Sequence, residues 1–247
     1  MTISKRDAIK AQRTRKKRQQ RMNSIFWVGG FILIIILIII TPTILNSLKP
    51  AGDFVKITPV AYPMVDGKTI GNPNAKVKIE VFADFQCPAC KGYSETTEKK
   101  LLASSYVSNG QVYYIFRHWP FLDRDYATKE SHQAANASMC ALEQGRFWDY
   151  HAILFTNQGV VENGGSFNNK RLQAFAESLG LDMTAFNSCF NINKYSSDID
   201  ADYQMGVTAG INSTPSFLIN GTHLFPDHVP TYEELTAAID ATLAGGG

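Results

Sequence analysis

No charged residue interrupts the chain between Arg21 and Lys49, and that stretch decides where the rest of the molecule can be. It reads Ile25-Phe-Trp-Val-Gly-Gly-Phe-Ile-Leu-Ile-Ile-Ile-Leu-Ile-Ile-Ile40, then Thr41-Pro-Thr-Ile-Leu45. As an α-helix rising ~1.5 Å per residue, 25–45 covers roughly 30 Å, the depth of a bilayer's hydrocarbon core. The preceding segment, 1–24, carries Lys5, Arg6, Lys10, Arg13, Arg15, Lys16, Lys17, Arg18 and Arg21 against one acid, Asp7, a net +8. The whole chain has 24 Lys+Arg and 22 Asp+Glu, so the remainder holds 15 bases and 21 acids, net −6. The formal +2 therefore averages two opposed parts. Basic flanks stay cytoplasmic, which predicts a cytoplasmic segment over 1–24, an uncleaved transmembrane anchor over 25–45 and an extracytoplasmic remainder. A cleaved leader fits less well. Its apolar region is about 7–15 residues and ends in a small-residue cleavage site, and Asn46-Ser-Leu-Lys-Pro50 offers none. The basic run is read as a topology signal touching anionic lipid, and no nucleic-acid partner is expected.

Beyond the anchor, 46–74 carries Pro50, Gly52, Pro59, Pro63 and Gly67 without periodicity and reads as an extracytoplasmic tether. A single domain over 75–247 follows, with no internal repeat. Alternation and β-branching predict strands over 75–83, 111–117, 216–219 and 222–225, with Asn220-Gly221 as the turn of the last pair. Helical patterns run over 88–106, 126–155, 169–180, 183–190, 194–210 and 232–243, the last opened by a capping box of Thr231 and Glu234. The order β-α-β, helices, β-β-α predicts an α/β domain with a helical insertion at about 123–194.

Cys87-Pro-Ala-Cys90 falls where the first strand ends and a helix begins. A thiol at a helix N-terminus meets unsatisfied N–H groups that favour its thiolate. Pro88 suits the first helical position, where its missing N–H is not needed. Cys90 lies about one turn on, within disulfide reach of Cys87. Cys87 is thus the expected attacking thiol and Cys90 the resolving one. The bland readings are half a zinc site or two inert thiols. Zinc would need ligands that Cys140 and Cys189 supply without companions at metal spacing, so no metal is expected. Inert thiols fit poorly in an oxidising compartment. Cys140 and Cys189, 49 positions apart, are expected to form a structural disulfide, the alternative being two buried free thiols. Thr214-Pro215 before the third strand reads, on its own, as a plain strand start.

Together, Cys87-Pro-Ala-Cys90 after a strand, the helical block with Gln144-Gly-Arg-Phe-Trp-Asp-Tyr-His-Ala-Ile-Leu-Phe155, and Thr214-Pro215-Ser-Phe resemble the DsbA-like thioredoxin-fold disulfide oxidoreductases, in their membrane-anchored form. The resemblance covers roughly 75–243. It implies that Pro215 is a cis-proline facing the cysteines, beside a backbone edge that pairs with an extended substrate segment. It further implies reduced exported proteins as substrates, no cofactor beyond the redox-active disulfide, and a DsbB-like quinone-linked membrane oxidase as recycling partner. One departure stands out: the inter-cysteine pair is Pro-Ala rather than Pro-His, so thiolate stabilisation rests on the helix N-terminus and its neighbours.

Glu80 and Asp84 precede the cysteines and are possible acceptors for the Cys90 proton, against the simpler reading of a strand-edge and a turn carboxylate. The relation of His118 to Cys87 cannot be read from sequence. Asn136, Asn212 and Asn220 open glycosylation triplets that read as chance matches. The expected function is oxidation of cysteine pairs in exported proteins. The rivals are a reductase or isomerase using the same pair, and a tethered binding or chaperone module. Between Leu45 and Ala75 there is no room for the dimerisation domain that isomerases of this fold carry.

Overall fold

The computed structural model describes residues 5–48, 51–123 and 129–245. It divides into two units, one ending at Pro50 and one beginning at Ala51.

The first unit is a single helix, α1 (Lys5–Leu48). It runs through the boundary expected at 24/25, because Lys, Arg, Gln and Met favour helix and no glycine or proline occurs before Gly29. Within it, Arg15–Thr41 is long and apolar enough to cross a membrane. Its apolar side chains are exposed on every side, Phe26 at 73% and Trp27 at 81% among them. A helix apolar all round is unstable in water and stable in lipid.

The second unit is built on a six-stranded mixed sheet in the order β1-β2-β4-β3-β5-β6. Its centre is β3 (Val77–Ala83), parallel to β4 (Val112–His118) from Val77↔Val112 to Ala83↔His118. On its other side β3 is antiparallel to β5 (Ser216–Ile219), with Ile79 opposite Ile219 and Phe82 opposite Ser216. A two-residue turn at Asn220 (φ 48°) and Gly221 (φ 81°) returns β6 (Thr222–Leu224) against β5. Alternation in β3 sends Ile79, Val81 and Ala83 into the main core, with Tyr114, Phe116 and Phe217. Phe82 points the other way, into a smaller cluster with Trp119, Ile211 and Leu218.

The stretch expected as a tether over 46–74 is in part structured. β1 (Val65–Asp66) and β2 (Thr69–Gly71) form a hairpin that extends the sheet, with Ile70 buried opposite Tyr114 of β4. Upstream, Phe54 packs edge-on against Phe175 with centroids 5.0 Å apart. Strands of two and three residues are too short for an alternation signal, which is why the sequence reads as linker there.

Between β3 and β4 the expected continuous helix is broken. It consists of α2 (Pro88–Tyr93), a π-helical turn over Ser94–Glu98, α3 (Lys99–Leu102) and α4 (Ser105–Ser108). A 3-10 turn (Phe121–Asp123) leads toward the insertion, which comprises α5 (Glu130–Leu142), α6 (Phe147–Thr156), α7 (Asn169–Ser178) and α8 (Met183–Phe190). Gly145 (φ 69°) separates α5 from α6 where one helix was expected over 126–155, and 126–128 lie outside the described residues. Asn168 and Asp182 cap α7 and α8 through their side-chain oxygens. A disulfide joins Cys140 of α5 to Cys189 of α8, with Cα atoms 5.8 Å apart. Thereafter α9 (Ser196–Thr208) runs back over the sheet, where Asp202 meets Arg117 of β4 at 3.1 Å. The last helix, α10 (Tyr232–Gly245), opens on the expected capping box: Glu234 N–H donates to Thr231 Oγ1 and Thr231 N–H to Glu234 Oε2.

Candidate active site at the first turn of α2

Cys87 is the N-cap of α2, in an extended conformation (φ −75°, ψ 119°), and Pro88 takes the first helical position. The turn is closed by the Cys87 N–H donating to the Asp84 carbonyl at 3.0 Å and by Lys91 N–H donating to the Cys87 carbonyl at 3.1 Å. Both thiols are free, Cys87 being 7% exposed and Cys90 1%. Across from them the Thr214–Pro215 peptide is cis, and the Cys87 thiol donates to the Thr214 main-chain carbonyl at 3.3 Å. Cys87, Cys90, Thr214 and Pro215 are therefore one site, although 127 positions separate Cys87 from Thr214.

The two sulfurs are electrostatically unequal. The Cys90 thiol donating to its sulfur is the largest influence on Cys87; burial opposes it, and the Thr214 side chain and the N–H groups of Cys90 and Ala89 add to it. Together they lower the Cys87 thiol to about 6. The thiol–carbonyl bond to Thr214 exists only while Cys87 holds its proton, so ionisation frees that carbonyl edge. Cys90 is pushed well above the ordinary thiol range, first by burial and then by donating to Cys87. At neutral pH the pair is one thiolate and one thiol.

Of the two candidate carboxylates, Glu80 is excluded by its partners. It lies on the face of β3 shared with Phe82, 2.6 Å from Lys78 and 2.6 Å from Arg117. Burial alone would raise its carboxyl, but those two cations outweigh it and hold it below its ordinary value. This corrects the expectation that Glu80 accepts a proton, since a carboxylate neutralised by two cations has little pull on one. Asp84 is different. Burial raises it to about 7 against hydrogen bonds from Ser131, Gln86 and Leu122, and the charge of Asp123 adds to the rise. Its oxygens accept from Ser131 Oγ (2.6 Å), Gln86 N–H (2.8 Å) and Leu122 N–H (3.0 Å). Its own N–H faces the Cys90 sulfur.

His118 is buried among Phe85, Phe116 and Phe147, its ring 5.9 Å from that of Phe85. Burial, then nearby positive charge, keeps it well below the ordinary histidine value and therefore neutral. Three residues unmarked in the sequence also shape the loop. Gln86 donates to Ser131 Oγ at 2.8 Å, and Gln158 donates to the Phe85 and Cys87 carbonyls at 2.6 and 3.0 Å. No local pattern announces Ser131 or Gln158, because they arrive from the insertion. Among the described residues no cluster of His, Cys, Asp and Glu is placed to hold a metal ion.

A strand delivering Cys-Pro-x-Cys to a helix N-terminus, opposite a Thr–cis-Pro loop, defines a thioredoxin-type redox centre. The family model described as thioredoxin matches residues 64–241, and the chain belongs to that family. The fold is similar to BdbD from Bacillus subtilis in its oxidised form (23% identity, TM-score 0.61, 78% of this chain and 100% of that one). It is also similar to the reduced form of the disulfide bond oxidoreductase DsbG from Mycobacterium tuberculosis (24% identity, TM-score 0.56, 74% and 88%). Among curated proteins, a probable disulfide bond formation protein D of Bacillus anthracis is 22% identical over 92% of this chain and 99% of its own. The Na(+)/H(+) antiporter NhaA 3 of Salinispora tropica is 32% identical over 70% of this chain, which spans only 24% of that protein's length.

Proposed function

We propose that the protein is an extracytoplasmic thiol–disulfide oxidoreductase that introduces disulfides into exported proteins through Cys87 and Cys90. The observation that carries this reading is the inequality of the sulfurs. A thiol lowered to about 6 is a good leaving group and a stabilised product, and both favour the reduced enzyme at the end of the reaction. In the oxidised enzyme, a substrate thiolate attacks Cys87 Sγ. The Cys87–Cys90 bond breaks, and Cys90 departs with the electron pair and takes up a proton. The substrate's second thiolate then attacks the substrate sulfur of the mixed disulfide and expels Cys87 as a thiolate. Two electrons have passed from the substrate dithiol to the enzyme pair, and no organic cofactor takes part.

Asp84 is the acceptor we assign to the Cys90 proton when the pair is re-oxidised. It titrates near neutrality, and its main-chain N–H already lies on that sulfur. The cis-Pro loop supplies the edge along which an extended substrate lies, the Thr214 carbonyl accepting one of its N–H groups. We read α1 as an anchor with its basic end in the cytoplasm, holding the domain outside beside a DsbB-like quinone-linked oxidase. Held in one plane, the two would meet at raised effective concentration. The name of the Bacillus anthracis relative, which aligns over nearly its whole length, supports the same assignment.

Replacing Cys90 by Ser in the full chain should trap substrates on Cys87 as mixed disulfides, visible by non-reducing electrophoresis. If none accumulate, the exchange mechanism is wrong. Equilibration with glutathione then fixes the direction. A potential of about −120 mV supports an oxidase, and one of about −270 mV supports a reductase with the same cysteines.

A further inference from the structure

Gln158 follows α6 and belongs to the insertion, yet its side-chain amide reaches the active-site loop. Its two amide protons serve two main-chain carbonyls, Phe85 at 2.6 Å and Cys87 at 3.0 Å. The Cys87 carbonyl already accepts the first helical bond of α2, from Lys91 N–H at 3.1 Å, and its second lone pair takes Gln158. Two donors from different directions fix the plane of that peptide, and so the ψ of Cys87. That angle determines where the Ala89 and Cys90 N–H groups point relative to the Cys87 sulfur, which they contact.

The segment that carries Gln158 is anchored on both sides of the loop. Phe155 and His151 of α6 pack on Phe85 at centroid distances of 5.1 and 5.8 Å. The neighbouring Asn157 amide donates to Ile153 O at 2.9 Å and Val55 O at 2.8 Å, securing the end of the helix. The residue between the cysteines that could have steadied a thiolate by its side chain is Ala89, which supplies nothing. After the Cys90 thiol and the Thr214 side chain, the remaining stabilisation comes from main-chain N–H groups, whose aim depends on the clamp.

We propose that Gln158 is a positioning residue of the redox centre: by holding the Phe85 and Cys87 carbonyls, it keeps the Ala89 and Cys90 N–H groups on the Cys87 sulfur and selectively stabilises the reduced enzyme. The inference rests on the reading of Cys87 and Cys90 as the redox pair. It differs from a plain structural role in acting on one redox form. Its loss lowers the stability of the reduced protein more than that of the oxidised protein, in which the sulfur carries no charge.

The test uses the full chain in detergent micelles, comparing wild type with Gln158→Met, which keeps bulk and loses both donors. The thiolate absorbance of the reduced protein is titrated, and the disulfide is equilibrated with glutathione. The proposal expects the Cys87 midpoint to rise by about one pH unit. It also expects the equilibrium constant for oxidising glutathione to fall about tenfold, equivalent to about 30 mV. Thermal unfolding of both redox forms should show the larger loss in the reduced one. An unchanged midpoint and constant, or equal destabilisation of both forms, overturns it. Should Gln158→Met not fold, Gln158→Leu, which is likewise uncharged and without donors, is read in the same way. A wild-type pair that does not exchange with glutathione at all would defeat the assigned function, an outcome distinct from a variant that matches wild type.

Discussion

The two cysteine pairs share one domain and differ in almost everything that governs sulfur chemistry. Cys140 and Cys189 bridge α5 and α8 across 49 positions, both buried, each toward the C-terminal end of its own helix. Cys87 and Cys90 lie within one helical turn, one sulfur at the helix cap and the other beneath it. The first pair closes a long loop and so acts on the unfolded chain, whose freedom it restricts. The second closes a loop of a few residues, which restricts the unfolded chain far less, and its worth lies in the unequal acidity of its two ends. Reactivity is therefore set by the local donors on the Cys87 sulfur, the Cys90 thiol first, and stability by loop length.

The largest effect that could break this contrast is on exchange. Cys87→Ser should reduce oxidation of a model dithiol by at least about a thousandfold. The Cys140→Ser, Cys189→Ser double variant should leave the rate per folded molecule near wild type. A comparable loss in the double variant would mean that the second pair takes part in electron transfer. Alkylation sharpens the same contrast within the reactive pair. Iodoacetamide should label Cys87 with a midpoint near pH 6 and leave Cys90 unlabelled through pH 8, as read by peptide mass spectrometry.

A lowered thiol also predicts a pH dependence with a definite sign. The folded reduced protein holds the Cys87 thiolate more tightly than the unfolded chain does. That contribution is complete above the ordinary thiol range near 9, and is lost as pH falls to about 6. The reduced form should therefore lose stability relative to the oxidised form across this window. For the other pair, removing the Cys140–Cys189 bond should cost about 4 kcal/mol by loop-closure entropy. Chemical denaturation of the double-serine variant measures it. A loss well under half of that would show that helix packing already restrains the unfolded loop.

What the sequence discloses about these pairs follows from the range of each interaction. Cys87-Pro-Ala-Cys90 is legible because its parts are contiguous: strand end, cap, proline and second thiol all lie within one turn. Thr231 with Glu234, and Asn220-Gly221, are legible for the same reason. Thr214-Pro215 could be assigned to the site only by resemblance, since nothing local says which strand end it faces. Glu80 misleads because its partner Arg117 lies on β4, 37 positions away. The β1–β2 hairpin is invisible because its strands borrow their order from β4 rather than from any pattern of their own. Ser131 and Gln158 are polar residues on or after helices, and only the docking of the insertion gives them a task.

The smallest expected effect on exchange concerns Asp84, and it tests whether the insertion acts on the reactive pair through charge as well as shape. Its carboxyl is raised to about 7 in the fold, well above the ordinary aspartate value of 3.8. A raised acid stabilises the fold fully below the unfolded value, and that contribution is lost as pH climbs through the folded one. Stability should thus fall between about pH 4 and pH 7 by on the order of 4 kcal/mol from this group, then level off. Asp84→Asn removes that slope, although its amide must face the Leu122 N–H that the carboxylate now accepts, so part of the loop's own stability goes with it. The kinetic counterpart is separable from that loss. If Asp84 takes the Cys90 proton, the variant should slow re-oxidation of the reduced pair most above about pH 7, where the wild-type carboxylate is ionised and able to accept it, with alkylation of Cys87 little changed. Equal slowing at pH 6 and pH 8, or a rate that follows unfolding, would leave Asp84 as a strut between loop and insertion and return the question of the proton to solvent.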